Sequence, residues 1–381
     1  MPLKPVYIIN TSSFLPNKPV SNDEMEEFLG HIDKSPSRSK GIVLRNNGIK
    51  HRYYALTKDK KITHTNAQMT ALAIRSLFSS AKGLNSIRLL SCGTSSPDQM
   101  MPSHAVMVHG LLPEMRSVET VSSSGVCCAG MHALKYAFMS VRTGEVECSV
   151  ATGSERISPS LVSVNYEDEI QKLKALNADP YIGFEKEFLR WMLSDGASAF
   201  LLSDRPNEKN ISLRIEWMDG FSYANEQEAC MYMGAEKAKD GSLTSYMDYT
   251  PQEITDRSVF SIKQDVKLLS KNIVVLGGIG LKKVLEKHKI TTGQIDYFLP
   301  HLSSEFFKDK VYKQLIENGT PIPYEKWFVN LANVGNVGAG SAYLMVDELF
   351  KSGKLKKGEK ILLLVPESGR FSYMYALLTV C

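Results

Sequence analysis

Three polar side chains, each where an apolar run meets a turn, are the places at which this sequence could do chemistry. Cys128 ends the small-residue stretch SSSGVCC and opens onto AGMHAL, an apolar helical run. A thiol at a helix N-terminus meets the positive end of the helix dipole, which stabilises the thiolate that a nucleophilic cysteine requires. Cys127 has the same neighbourhood, so the segment alone leaves the choice between the two open. The commoner fate of a free cysteine is burial as an inert apolar side chain. His301 follows an apolar run and a proline in DYFLPHLSSEFF, at the carboxyl end of a strand, where open α/β sheets place their ligands. Asn336 lies in NVGNVGAGS, whose glycines let backbone approach a bound group closely. A lone His or Asn is more often structural. A nucleophile with two side-chain hydrogen-bond donors, all at element boundaries, is a rarer set than its members.

The elements that must hold these groups alternate between helix and strand. Ala67, Ala71, Ile74, Phe78 and Ala81 recur at helical spacing up to Gly83, and an apolar strand spans residues 87–92. The pattern continues with a helix around 103–112 and a strand near 118–121. A helix over 129–141 follows, apolar on nearly every side and so expected to be buried all round, then strands near 147–151 and 197–202. The turn-rich SDRPNEKN divides the chain into halves at 1–205 and 206–381. The second half repeats the order of the first: strand 295–299, a loop at 300–304, a helix, strand 327–330, a Gly-rich turn, helix 340–351, and strands near 361–365 and 374–380. Shared order without visible sequence likeness points to a duplicated α/β body with buried parallel or mixed sheets. Residues 156–190, charged and interrupted at Pro180, break the pattern and read as a solvated insertion or as a cap over a pocket mouth.

Composition removes several classes of protein. The 381 residues carry 45 Lys plus Arg against 41 Asp plus Glu and are 43% hydrophobic, which excludes disorder and fibrous repeats and leaves room for a substantial core. A net charge of +4 is too weak to argue for nucleic acid. The six cysteines contain no C-x-x-C, so no zinc or redox site is expected. The opening MPLKPVYIIN lacks an apolar signal core, and no run approaches the roughly 18 apolar residues of a membrane span. A cytoplasmic protein with free thiols is the expectation.

Along nearly its whole length the sequence resembles the ketoacyl synthase III branch of the thiolase superfamily. The matching segments, in order, are LPNKPVSNDEMEEFLG, NNGIKHRY, GTSSPDQMMPSHA, VCCAGMHAL, ATGSERIS, SDGASAFLLS, LPHLSSE, VGNVGAGSA and ESGRFSYMYALL. The resemblance implies a thiolase-like αβαβα sandwich of two duplicated halves, a homodimer, and no cofactor or metal. It implies Cys128 as the nucleophile, because that residue opens the family's C-[AS]-G segment, with His301 and Asn336 as its partners. The N–H groups of Cys128 and Gly369 would form the oxyanion hole. Such enzymes take an acyl group onto the cysteine and join it to a second thioester through a carbon nucleophile.

Departures from the pattern carry information. Relatives that use coenzyme A hold its adenine between an aromatic and an arginine; Ile42 and Asn46 stand there, and Phe306 replaces an arginine usual after the His. Acyl carrier protein is therefore the implied donor, docking on Lys308, Lys310 and Lys313, which also form an ordinary solvated helix face. GTSSPDQMMPSHAVMVHG, CMYMGAEK and FLRWMLSDGA look most like a subgroup that builds dialkylresorcinol and cyclohexanedione rings. That likeness implies Glu155 as an extra base and Met100, Met101 and Met107 as lining of an acyl tunnel, with Met101 reaching the partner subunit. The alternative is a starter-unit 3-oxoacyl synthase III that extends malonyl carrier protein.

Three other readings compete with these. A nucleotide-binding dehydrogenase would use the glycines of IVVLGGIGLKK, but the third fingerprint glycine and the ribose-binding acid are missing. His104 and His109 lie about 140° apart round a helix and make a poor metal pair. A non-catalytic relative would show a broken triad, whereas Cys128, His301 and Asn336 are all present.

Overall fold

The near-continuous apolar runs become strands of a mixed sheet that is covered on both faces, as such runs require. The computed structural model describes residues 2–31, 40–165 and 189–381. The first half contributes β1 (Tyr7–Phe14), β2 (Leu89–Thr94), β3 (Glu119–Ser124), β4 (Cys148–Glu155) and β5 (Gly196–Ser203). The second contributes β6 (Leu213–Ser222), β7 (Tyr297–Pro300), β8 (Lys360–Glu367) and β9 (Ser372–Val380). Their order across the sheet is β7-β8-β9-β6-β1-β5-β4-β2-β3. Strands β3, β2 and β4 run parallel, β5 is antiparallel to β4 and β1, and β7 and β8 are again a parallel pair. The halves join where Tyr7 and Ile8 of β1 meet Arg214 and Leu213 of β6.

Helices α1 (Asn66–Arg75), α2 (His104–Gly110), α3 (Ala129–Thr143), α4 (Val266–His288), α5 (Lys308–Glu317) and α6 (Ser341–Lys351) cover the strands. In the central layer, Leu134 and Phe138 of α3 and Val346 and Leu349 of α6 share one apolar cluster with Phe200 of β5 and Leu363 of β8. Helices α1 and α2 form a separate cluster with first-half strands, and α4 and α5 form another with second-half strands. Helix, sheet, helix, sheet, helix is the thiolase-like arrangement. Among the described residues no helix is long and apolar enough to cross a membrane.

Two expectations need correction. Helix α3 is not buried all round: His132 and Met139 are exposed, so it has a wet edge beside its apolar face. Residues 327–330 form no strand. A 3-10 turn, Tyr324–Lys326, leads to a single bridge between Trp327 and Phe298, and the indole N–H of Trp327 is spent on the Ile322 carbonyl. The glycines of IVVLGGIG lie inside the 23-residue α4, not in a strand–turn–helix. There they admit two tyrosines of β9: Tyr373 and Tyr375 donate to the Ile273 and Gly277 carbonyls at 3.0 and 2.8 Å. A Cβ on Gly280 would lie 2.3 Å from the Tyr375 hydroxyl. Glycine inside a helix costs about 1 kcal/mol relative to alanine, which this packing offsets. Of the insertion at 156–190, residues 166–188 lie outside the described residues.

Candidate active site

The nucleophile elbow is built by a glycine and a carboxylate. Strand β3 ends at Ser124, and Gly125 then turns the chain with φ 152°, a conformation that side chains disfavour. Val126 and Cys127 follow, Cys128 is the N-cap of α3, and the helix starts at Ala129. Its first turn packs so closely on the Gly338–Gly340 turn that a Cβ on Gly130 would sit 2.2 Å from the Ala339 carbonyl. Tyr343 donates to the Gly130 carbonyl at 2.8 Å and ties the helix start to α6.

The two adjacent cysteines part company here. The Cys128 Sγ points into the core, donating to the Val365 carbonyl at 3.3 Å and lying 3.8 Å from that of Ser372. It lines neither of the two main cavities. Cys127 lines both. The Cys128 N–H donates to Glu367 Oε2 at 3.0 Å. The N–H groups of Cys127 and Gly369 donate to nothing among the described residues. The nucleophile expected at Cys128 thus has a neighbour that borders both cavities. Ionisation departs from what the helix dipole alone suggests. Burial first, and then the charges of Glu367 and Glu155, push the Cys127 thiol well above its ordinary range, outweighing the helix dipole. The resting group is a thiol.

His301 follows β7, and its N–H donates to the Leu364 carbonyl of β8 at 2.8 Å. Its ring is buried, its Nε2 has no partner among the described residues, and burial lowers its pKa to about 4. A neutral imidazole with one nitrogen open can accept a proton or donate one. Asn336 is fixed by its backbone: its N–H donates to the Met192 carbonyl at 3.0 Å, and its carbonyl accepts from the Ser194 N–H at 2.9 Å. Its side-chain oxygen accepts from the Gly338 N–H at 3.0 Å, which leaves the Nδ2 amide as the open donor.

Two cavities of about 660 and 530 Å³, counting their mouths, meet at Cys127, Ser303 and Ser368. The larger runs between α4 and α5 and contains His301 in its wall; the smaller contains Asn336 and Glu155. Sequence reasoning missed Ser303, Ser368 and Glu367. LPHLSSE and ESGR carry them, but nothing in those strings says which serine or acid faces inward.

The remaining sequence candidates fare differently. Glu155 is buried, and its oxygens accept from the Ser95 N–H and hydroxyl, the Ser96 hydroxyl and the Ala339 N–H. Desolvation nevertheless raises its pKa. Met100 and Met101 are 63% and 86% exposed, and with Met107 they line neither main cavity, so the tunnel assigned to them is not formed by this chain's described residues. Lys308 reaches Glu305 at 3.5 Å, Lys310 lies 3.8 Å from the Phe306 ring, and Lys313 is exposed on the outer face of α5. His104 faces Thr70 and Ser154, whereas His109 faces the Met115 carbonyl.

Comparison with known proteins bears on the fold and on what the chain resembles. Residues 285–376 match the family described as 3-Oxoacyl-[acyl-carrier-protein (ACP)] synthase III C terminal. The chain is 25% identical over 366 residues to a beta-ketoacyl-acyl-carrier-protein synthase III of Clostridium perfringens, covering 95% of each chain. In fold it is similar to beta-ketoacyl-acyl-carrier-protein synthase III of Thermus thermophilus, with a TM-score of 0.71, 18% identity and 98% of each chain covered. A Cys-to-Ser variant of Xanthomonas campestris OleA, solved with lauric acid and lauroyl-CoA, gives a TM-score of 0.74 at 18% identity over 99% of each chain.

Proposed function

We infer that the chain is an acyl-transferring condensing enzyme of the ketoacyl synthase III kind, and the reaction is read from that premise. We propose that Cys128 takes the acyl group from a thioester and that His301 and Asn336 serve the carbon–carbon bond that follows. The observation carrying this reading is that two cavities, one walled by His301 and the other by Asn336, meet at the elbow that carries Cys127 and Cys128.

The steps follow from the groups present. His301, neutral with an open Nε2, takes the Cys128 proton as sulfur attacks the thioester carbonyl. The Gly369 N–H stabilises the oxyanion, and the proton leaves with the departing thiol. In the second half-reaction a malonyl thioester loses carbon dioxide. His301, in the tautomer that carries its one hydrogen on Nε2, and the Nδ2 of Asn336 hold the resulting enolate oxygen. Its carbon attacks the acyl group and frees Cys128, leaving a 3-oxoacyl thioester.

The curated relative named above supports this linear product over ring formation. The ring-forming reading has one observation of its own, the Glu155 carboxylate in the cavity that holds Asn336. Acyl carrier protein is the proposed donor, since Lys310 and Lys313 lie on the outer face of the helix whose inner face bounds the larger cavity. A homodimer is proposed across the β3 edge, beside exposed Met100 and Met101.

Intact-mass measurement after exposure to a panel of acyl carrier thioesters tests the reading. The expected result is one acyl adduct, lost in Cys128→Ala, and a linear 3-oxoacyl product on adding malonyl carrier protein. An undiminished adduct in Cys128→Ala would refute the assignment, and a cyclic dione from two acyl thioesters would select the ring-forming reading.

A further inference from the structure

Glu155 ends β4, buried where the first half of the chain meets the turn that carries Asn336, and no ion pair among the described residues includes it. A carboxylate offers about four lone-pair sites, and here they are taken. Oε1 accepts from the Ser95 and Ala339 N–H groups, both at 3.1 Å, and Oε2 accepts from the Ser95 and Ser96 hydroxyls. A group so surrounded has no lone pair left for a proton from substrate, although it borders the smaller cavity.

The Ala339 bond links this carboxylate to Asn336. Residues 337–340 lead into α6 through a 3-10 turn, and amides at the start of a helical segment have no acceptor behind them. Each has found one. The Val337 N–H donates to the Ser341 hydroxyl, that of Gly338 to the Asn336 side-chain oxygen, that of Ala339 to Glu155 and that of Gly340 to the Val337 carbonyl. Three of these acceptors belong to residues 336–341, and Glu155 alone comes from the other half of the chain. The turn has no slack: a Cβ on Gly130 of α3 or on Gly153 of β4 would sit 2.2 or 2.3 Å from the Ala339 carbonyl. Without Glu155 the buried Ala339 N–H loses its acceptor, a costly state, and the Asn336 oxygen on the neighbouring amide is the one it would compete for. That competition re-aims the Asn336 amide.

We propose that Glu155 is a positioning residue for condensation: it holds the Ala339 N–H, so that Asn336 keeps its oxygen on Gly338 and its Nδ2 open to the enolate. This rests on the reading of Asn336 as an enolate donor. The other end of the tie is firm as well. Ser95 and Ser96 follow β2, and their loop is pinned by Asp98, which accepts from the Asn66 and Ala67 N–H groups at 2.9 Å and pairs with Arg156 at 3.0 Å. Glu155 therefore couples the two halves of the chain where the second thioester reacts, and takes no proton itself.

The test measures acyl uptake and condensation as separate single-turnover rates in the full chain. Glu155→Ala frees the Ala339 N–H; condensation should fall roughly thirtyfold and uptake by no more than about threefold, the mark of a misaimed donor. Adding Glu155→Ala to Asn336→Ala should slow condensation no further, because the carboxylate acts through that amide. Glu155→Gln keeps Oε1 for the two N–H groups, so its loss should stay below about tenfold, whereas a proton acceptor would lose about a hundredfold or more. Additive losses in the double variant, or a loss above about tenfold in Glu155→Gln, would overturn the proposal. If Glu155→Ala does not fold, Glu155→Gln decides alone. Undiminished condensation in Asn336→Ala would instead overturn the assignment of that amide, a separate failure.

Discussion

Of the two spaces that adjoin Cys127, the one between α4 and α5 is walled by Leu269, Ile273, Val311 and Leu315 and by no charged side chain, whereas the one beside β4 exposes Ser95, Glu155, Gln264 and Asn336. The difference follows from what each wall is made of. Helices α4 and α5 turn their apolar stripes toward each other, and burying an alkyl chain there gains about 0.8 kcal/mol per methylene. The space beside β4 is also largely apolar, lined by Ile157, Leu189, Met192 and Leu193, but it adds a carboxylate that is tolerable only because hydroxyls and amides surround it. Both sides can hold hydrocarbon, and the polar groups for an oxygen that gains charge are shared, His301 in one wall and Asn336 in the other. A reaction joining two thioesters needs both at one sulfur.

Substitutions can break or sharpen this contrast. The largest effect short of removing Cys128 is expected from His301→Ala and Asn336→Ala. Each removes a donor worth about 2.7–4 kcal/mol, so condensation should fall about a hundredfold or more while the acyl adduct still forms. Single-turnover rates for the two half-reactions would separate them, and equal losses in both would contradict the assigned roles. Next, Val311→Trp narrows the apolar space without touching the polar one. The longest acyl chain accepted should shorten, with kcat/KM for long chains falling roughly fourfold per excluded methylene and short chains little affected. Uniform loss at every length would place the chain elsewhere.

The pH dependence is a smaller effect. Burial holds His301 at about 4 in the folded protein against an ordinary 6.5, so the unfolded chain binds the extra proton first as pH falls. Stability is full above about 6.5 and is lost progressively down to about 4, after which the folded state also protonates. Chemical denaturation of His301→Asn across that window should show a shallower slope. Some slope should persist, because burial lowers His104 to about 4 as well. Smallest of all, Cys127→Ser exchanges one small polar side chain for another where the cavities meet, and its acyl uptake should stay within about twofold of the parent at a stability cost of roughly 1 kcal/mol. A collapse of uptake would move the nucleophile to Cys127.

Much of this arrangement was readable in the amino acids themselves. Apolar runs with period-appropriate spacing located seven of the nine sheet strands to within a few residues, with β1 and β6 unassigned, and the turn chemistry of LPHL and NVGN located His301 and Asn336 at element ends. What could not be read was decided by distant partners. The amides of Val126 and Cys128 are held by Glu367, more than two hundred residues on, and no local pattern encodes that contact. The acidity of the thiol depends on the same carboxylate and on burial. Trp327 and Phe328 look like strand residues because aromatics favour strands, but here Trp327 packs edge-on against Phe298 at 5.1 Å. The glycines of α4 are punctuation in most sequences. Here they are seats for phenol rings that only the folded β9 supplies.

Those phenols have a mechanical effect. Tyr373 and Tyr375 moor α4 to the hairpin that also carries Glu367 and Gly369. A bulky guest between α4 and α5 therefore cannot push the helix outward unless two hydroxyl tethers are severed. The bore of that passage behaves as a fixed gauge, and an overlong tail is refused by the same strand pair that steadies the sulfur's surroundings.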